Sequence, residues 1–337
     1  MSKYNVLITG ASGFIGSAMV DKALSEGYET WAAIRKSSSL KYLSDDRLRF
    51  VYPDYSDKNK LISQIRDFIS TNGKIDYIIH VAGVTKVIKK KDFERVNYEN
   101  TRNFVEALIE LDAVPKAFVY MSSLGAIGPV DEDNYGPIYA DSTPSPNTWY
   151  GKSKLKTEHF LKNLDNFPYI ILRPTGVFGP RDMDYYLLMK AVKRGINVSV
   201  GFKKQLLSFI YIKDLTEIVF RLLEKGVTRK EYNVSDGKYY LGTEFNEIVR
   251  EELNKKRVVN ITVPLFLVKP IAWTNEKIAN LAGKASTLNN DKYKIMKQRN
   301  WICDITPLRE DIGFEPKYSL KDGVTETIEW YKEEGLL

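Results

Sequence analysis

The sequence predicts an α/β protein: a doubly wound parallel sheet with a smaller, helix-rich C-terminal lobe that closes over the sheet's edge. Three observations predict it. Six short apolar runs recur in the first half, at residues 4–10, 29–35, 48–54, 74–83, 116–123 and 168–174. Each is followed by a candidate helix, and strands alternating with helices mean a parallel sheet covered on both faces. After Gly179 the alternation becomes irregular, and apolar and basic residues mix along helix-rich segments. In such sheets the crossovers are right-handed and ligands sit at the carboxyl ends of the strands.

The first strand runs into "LITGASGFIG", residues 7–16. Gly10 permits a tight turn, Gly13 lets the backbone approach a pyrophosphate, and Gly16 lets the following helix pack closely on the strand. Ser12, Phe14 and Ile15 lie on the same turn. The helix, 15–27 with Gly27 as its stop, offers unpaired N–H groups and a partial positive charge to phosphates. The spacing G-x-x-G-x-x-G differs from the G-x-G-x-x-G fingerprint. Its place between strand and helix at the head of the series carries the dinucleotide assignment.

The second strand ends in "AAIRKSSS", residues 32–39. NAD binders of this topology carry an acid there for the ribose hydroxyls. Here Ile34 stands near that place, and Arg35 and Lys36 follow. An arginine grips a 2′-phosphate that a carboxylate would repel, which favours NADP(H) and leaves NAD(H) as the alternative. Ser37 and Ser38 add donors. The alternative role for Arg35 is stacking on adenine. At the end of the third strand, in "PDYSD", Asp54 either accepts from the adenine amino group or caps a helix, and Tyr55 follows it.

The fifth strand ends in "MSSLGAIG", and one loop later comes "WYGKSK", residues 149–154. Tyr150 and Lys154 share a helix face. A nearby ammonium favours the phenolate and lowers the tyrosine pKa. A serine hydroxyl at the end of the fifth strand lies near a substrate carbonyl. "YKIMK", residues 293–297, matches the same spacing but has no such partner, so a surface helix is its default.

These segments, with "HVAG", "VNYENT", "RPTGVFGPRD" and "FIYIKDL" in order, closely resemble the extended short-chain dehydrogenase/reductase family, also called the NAD-dependent epimerase/dehydratase family. The resemblance covers nearly the whole chain. It implies a Rossmann-type domain at 1–178, to which 209–237 return, and a substrate-binding lobe at 179–208 and 238–337. It implies Ser123, Tyr150 and Lys154 as catalytic groups, with Ser122 the neighbour open to confusion with Ser123. Asn97 matches the family's asparagine, either structural or part of a proton relay. Val81, Ala82 and Gly83 are implied along the cofactor, and Pro174 and Val177 near the nicotinamide amide. A homodimer through the helices flanking the tyrosine is also implied.

Two departures bear on the substrate. Nucleotide-sugar members carry Asn before the Val of "NVYGP", where this chain has Gly176, and often an Arg where Leu207 stands, although Lys203 and Lys204 are close. Losing two diphosphate ligands argues against a nucleotide-sugar substrate. The apolar run "ITVPLFLVKPIAW" is expected to line an apolar cleft. Residues 301–331 resemble the end of 3β-hydroxysteroid dehydrogenase-like and dihydroflavonol reductase-like members. The expectation is an NADP(H)-dependent reductase of an apolar, lipid- or sterol-like ketone. The alternatives are a nucleotide-sugar epimerase/dehydratase with tightly bound NAD, and a non-catalytic NADP-binding regulator.

Composition narrows the partners. The net charge of +7 includes the run "KVIKKK", residues 86–91, read as a solvated face, with a docking site for an anionic ligand or lipid surface as the alternative. No basic segment interleaved with aromatics suggests nucleic acid. One cysteine, Cys303, forms no intrachain disulfide, and with two histidines no metal site is expected. With no leader and no long apolar span, the expectation is a cytoplasmic protein, with peripheral membrane contact open.

Overall fold

Along each central strand, alternate side chains enter two different cores. Val6 and Ile8 join one while Leu7 joins the other, and Val119 and Met121 part in the same way from Phe118 and Tyr120. This two-fold period requires apolar cover on both faces, and the helices supply it. The strands are β1 (Asn5–Thr9), β2 (Glu29–Ala33), β3 (Arg49–Val51), β4 (Tyr77–His80), β5 (Ala117–Met121), β6 (Tyr169–Pro174) and β7 (Lys230–Val234). They form one parallel sheet in the order β7-β6-β5-β4-β1-β2-β3. This is a Rossmann-type sheet, seen in a computed structural model that describes residues 4–286 and 288–337. The leader reading falls on residues outside that range.

Helices α1 (Phe14–Ser25) and α5 (Ile212–Glu224) cover one face. The other is covered by α2 (Lys58–Asn72), α3 (residues 91–110) and α4 (Trp149–Lys162). Helix α3 contains a π-helical turn at Arg95–Glu99. One expectation fails: no helix follows β2. Residues 34–48 are turns and irregular chain. The stretch is polar, and its apolar residues lack helical spacing; Leu43 and Leu48 tuck into the core without a helix to carry them.

The C-terminal part adds three short strand pairs. Gly176–Phe178 pairs with Phe209–Tyr211, Leu206–Leu207 with Tyr240–Leu241, and Ile196–Val200 with Val259–Val263. Its six helices include Met183–Lys193, Glu244–Glu252, Leu265–Leu281 and Asn290–Lys297. Phe178, Tyr185, Phe209 and Phe245 form an aromatic cluster within it. A second expectation fails here. Of the run "ITVPLFLVKPIAW" only Thr262 lines the cleft. The helix that follows buries only Val268 and Ala272 and turns most of its apolar side chains outward.

Candidate active site

The glycine turn builds its own cradle. Gly10 has φ +65°, and a Cβ there would stand 2.8 Å from the Ala82 amide nitrogen. A Cβ on Gly16 would overlap the Gly10 carbonyl, so α1 can begin this close to β1 only with glycine. Gly13 differs. Its Cβ would meet only the Gly10 carbonyl oxygen, at 3.3 Å, so its lack of a side chain leaves an open approach to the helix end. Gly13 caps α1 without a side-chain bond, and the first turn carries no acid, so nothing neutralises that positive end. This cradle fits a pyrophosphate. Ser12, Phe14 and Ile15 lie around it, with Val81, Ala82 and Gly83 directly after β4.

Beyond β2, Arg35 and Lys36 are exposed and enter no ion pair among the described residues. Ser38 caps a small turn: its hydroxyl accepts the Arg35 amide at 3.2 Å. Asp54 is differently placed. It accepts from Ser56 and pairs with Lys60 at 2.9 Å, and the Ser56 hydroxyl is the largest influence holding its carboxyl below the usual range. The cap of α2 is Asp57, not Asp54. The Tyr55 hydroxyl is buried with no partner. Its ring meets His80 and Phe104 edge-on.

His80 lies beneath the carboxyl edge, fully enclosed. Thr101 donates to the Asn97 carbonyl, so Thr101 Oγ1 accepts from His80 Nε2, and Nδ1 accepts from Thr9. Thr9 in turn accepts the Ala82 amide at 3.0 Å. Burial, then the Lys154 charge, pushes His80 down to about 3, so it is a neutral strut.

Asn97, on the π turn of α3, is wholly buried. Its side chain accepts the Val84 amide at 2.8 Å and donates to the Val84 carbonyl and to Ser153. It therefore clamps the loop after β4 to α4, and its carbonyl accepts from Thr101 and Thr157.

Two neighbouring serines part company at the end of β5. Ser122 is buried and donates to Glu158. Glu158 is held by Arg173 at 2.7 Å, and Arg173 also pairs with Glu231 and donates to the Ala140 carbonyl. Ser123 instead opens into a cleft of about 880 Å³, with Tyr150 beside it. Gly151 makes this closeness possible, because a Cβ there would overlap the Gly125 carbonyl. Thr148 caps α4 by accepting the Gly151 amide at 3.0 Å.

Lys154 is buried and donates to the Met121 carbonyl at 2.8 Å. Its ammonium lies 6.0 Å from the Tyr150 ring centre and 4.8 Å from that of Tyr120. The expected lowering of the tyrosine pKa does not occur in this geometry. Burial pushes the Tyr150 phenol up to about 12, opposed by a hydrogen bond with Ser123. Burial also pushes Lys154 down to about 8, with Glu158 opposing. The phenol is thus a proton donor at neutral pH, and the lysine is still cationic there.

The cleft extends from Ser123 and Tyr150 past Pro174 and Val177 to Leu207, Phe209 and Trp301. Gly176 lies beneath the Tyr185 hydroxyl and the Phe209 ring, where a Cβ would collide with both. An asparagine at 176 would displace this aromatic wall. Lys203, Lys204 and Lys292 also border the cleft. Tyr293 and Lys297 lie on the helix Asn290–Lys297, none of whose residues is buried. In the basic run, Lys86 pairs with Asp184 at 2.6 Å, and Lys89, Lys90 and Lys91 are exposed. Cys303 is a buried thiol pushed up to about 12 by burial.

A Rossmann-type sheet with a glycine cradle, and a serine, tyrosine and lysine at its carboxyl edge, defines a nicotinamide-dinucleotide enzyme class. Residues 6–235 match the NAD dependent epimerase/dehydratase family, and the chain belongs to it. Its members are NAD(P)-dependent dehydrogenases, epimerases and dehydratases. The relatives span unlike substrates. The decarboxylating sterol-4-alpha-carboxylate 3-dehydrogenase of Dictyostelium discoideum is 24% identical, over 96% of this chain and 99% of its own. The dTDP-D-glucose 4,6-dehydratase of Homo sapiens is 26% identical, over 97% and 90%. The ceramide reductase of Caulobacter vibrioides is 24% identical, over 98% and 96%. Among solved structures, the Bordetella bronchiseptica enzyme WbmG in complex with NAD superposes with a TM-score of 0.78 at 22% identity, covering 99% of this chain and 96% of that one.

Proposed function

We propose that this chain is an NADP(H)-dependent reductase that converts a ketone of an apolar, lipid- or sterol-like molecule to a secondary alcohol, or runs the reverse oxidation. The observation that carries the reading is the cleft: a protonated Tyr150 and Ser123 at its base, under a wall of Tyr185, Phe209, Leu207 and Trp301. The Tyr185 hydroxyl and the Phe209 ring take up the side-chain space above Gly176, where an asparagine would meet a diphosphate. The sterol dehydrogenase and the ceramide reductase are, by name, enzymes of lipids.

Gly10, Gly13 and Gly16 would hold the pyrophosphate, Arg35, Lys36 and Ser38 a 2′-phosphate, and Lys154 the nicotinamide ribose. Tyr55, Val81, Ala82, Gly83, Pro174 and Val177 would line the rest. A bound nicotinamide supplies the hydride that the carbonyl carbon receives. Ser123 donates a hydrogen bond to the carbonyl oxygen and polarises it. Tyr150 gives that oxygen its proton, which the raised phenol pKa keeps available at neutral pH. Asn97 fixes the loop that faces the site. In the oxidative direction Tyr150 takes the proton back.

The second reading, a nucleotide-sugar epimerase or dehydratase, is favoured by the three lysines at the cleft and by the dehydratase relative. One assay separates the two. Purified protein with NADPH should oxidise it when given a long-chain 3-ketone presented in detergent, and should leave UDP-glucose unchanged. Interconversion of UDP-glucose without net NADPH loss would overturn the reductase reading.

A further inference from the structure

The helix Leu265–Leu281 is built inside out for a helix bathed in water. On one side it buries Val268 and Ala272, and Asn275 and Glu276 bond there to Ser286, Leu288 and Asn290. The opposite side presents Phe266, Leu267, Ile271, Trp273, Ile278 and Leu281, with Phe266 73% and Leu281 90% exposed. At 100° per residue these six and Pro270 form one broad stripe facing away from the anchor, with Thr274 and Lys277 also within it. The only hydroxyl in the stripe, Thr274, donates back to the carbonyls of Pro270 and Ile271 at 3.0 Å, so it needs no water. Single exposed apolar residues are ordinary, but a contiguous stripe marks a contact surface.

Charge says what the surface meets. Residues 253–285 hold Lys255, Lys256, Arg257, Lys269, Lys277 and Lys284 against a single acid, Glu276. None of the six cations enters an ion pair among the described residues. Glu276 is turned inward, bonded to Asn290 at 2.7 Å. Two of these cations, Lys269 and Lys277, stand exposed on the striped helix itself, and an apolar stripe carrying unpaired cations complements an anionic lipid surface. No helix among the described residues is long and apolar enough to cross a membrane, so this one would lie along it.

The stripe also adjoins the cleft. Gly201 donates to the Val263 carbonyl at 2.9 Å, which sets the helix start beside Phe202. Phe202 is 78% exposed and lines the cleft. The helix Asn290–Lys297 contributes Lys292, Ile295 and Met296 to the cleft wall and packs against the striped helix.

We propose that this face docks on an anionic lipid bilayer, with the helix Leu265–Leu281 lying among the headgroups and the cleft mouth brought to the lipid. The delivery of substrate from the bilayer rests on the lipid-ketone reading; docking itself does not. The test uses the full-length protein and sucrose-loaded vesicles of phosphatidylcholine alone or mixed with phosphatidylglycerol. The protein should pellet with the mixed vesicles, about tenfold or more over phosphatidylcholine, and salt should weaken this. The double variant Phe266→Ser, Ile278→Ser should lose about tenfold or more in vesicle affinity while its melting curve and NADPH titration match the parent's. The charge-reversed variant Lys269→Glu, Lys277→Glu should lose the preference for the anionic lipid. Failure of the parent to pellet, or equal pelleting by the double variant, would overturn the proposal. So would a dimer that the double variant dissolves, with no vesicle binding by the parent. Vesicle binding is read without turnover, so a failed reductase assay would leave this result standing.

Discussion

The glycine cradle and the helix Leu265–Leu281 are opposites. In the cradle two glycines are forced by backbone atoms that a Cβ would strike. On the helix only two side chains are buried, and the apolar stripe meets none of the chain's core. The first region is specified by the protein itself. The second makes sense only with something outside the chain. Substitutions should therefore act on stability in one region and on association in the other.

The largest effect on activity is expected at Tyr150. Tyr150→Phe removes the phenol proposed to give the proton and should lower NADPH-dependent ketone reduction about a hundred- to ten-thousand-fold. Far-UV dichroism and the NADPH titration should not change. Unaltered turnover would show that another group delivers the proton.

The largest effect on stability is expected at Glu158. Its carboxylate is held among Ser122 and Arg173, with side chains 1% and 3% exposed for the ion pair. Glu158→Gln leaves a buried guanidinium short of a charge and should cost about 3–5 kcal/mol, read by urea unfolding. Next comes Gly16→Ala, which pushes α1 off the Gly10 carbonyl and should cost about 1–3 kcal/mol together with dinucleotide affinity. Gly27, at φ +76° with nothing near its Cβ position, is the control. Gly27→Ala should cost only about 1 kcal/mol and leave affinity alone.

Arg35→Ser should weaken NADPH roughly ten- to a hundredfold, as expected for one lost charge-assisted pair, and leave NADH unchanged. Equal loss for both would place Arg35 on the adenine. The smallest effect is on pH. Burial lowers Lys154 to about 8, so its ammonium is present below that pH and lost above it. The KM for NADPH should rise as pH climbs through about 8, and Lys154→Arg, always charged, should flatten that rise.

The contrast also explains what could be read in advance. The strands were legible because both faces are buried and the apolar runs are unbroken. The cradle was legible because close backbone approach admits only glycine. The segment after β2 misled because a strand-helix rhythm was extended over "KSSSLKYLSDD", where no helical period exists. Gly176 was noticed only as a missing asparagine; the Tyr185 hydroxyl above it is a tertiary fact. The Glu158–Arg173–Glu231 network was missed, although Glu158 stands four residues after Lys154 and so faces the same way on α4. The run "VPLFLVKPIAW" was read as cleft lining because composition reports how apolar a helix is, not which side the fold leaves uncovered.

A reductase that selects the 2′-phosphate must release its spent dinucleotide between turnovers, whereas an epimerase keeps its NAD. Titrating the purified protein with NADPH and NADH by fluorescence, beside mass spectrometry of any ligand that co-purifies, tests this difference most directly. The account expects exchangeable NADPH bound in preference to NADH, with no dinucleotide retained through purification. Tightly retained NAD, indifferent to the phosphate, would contradict it and favour the epimerase.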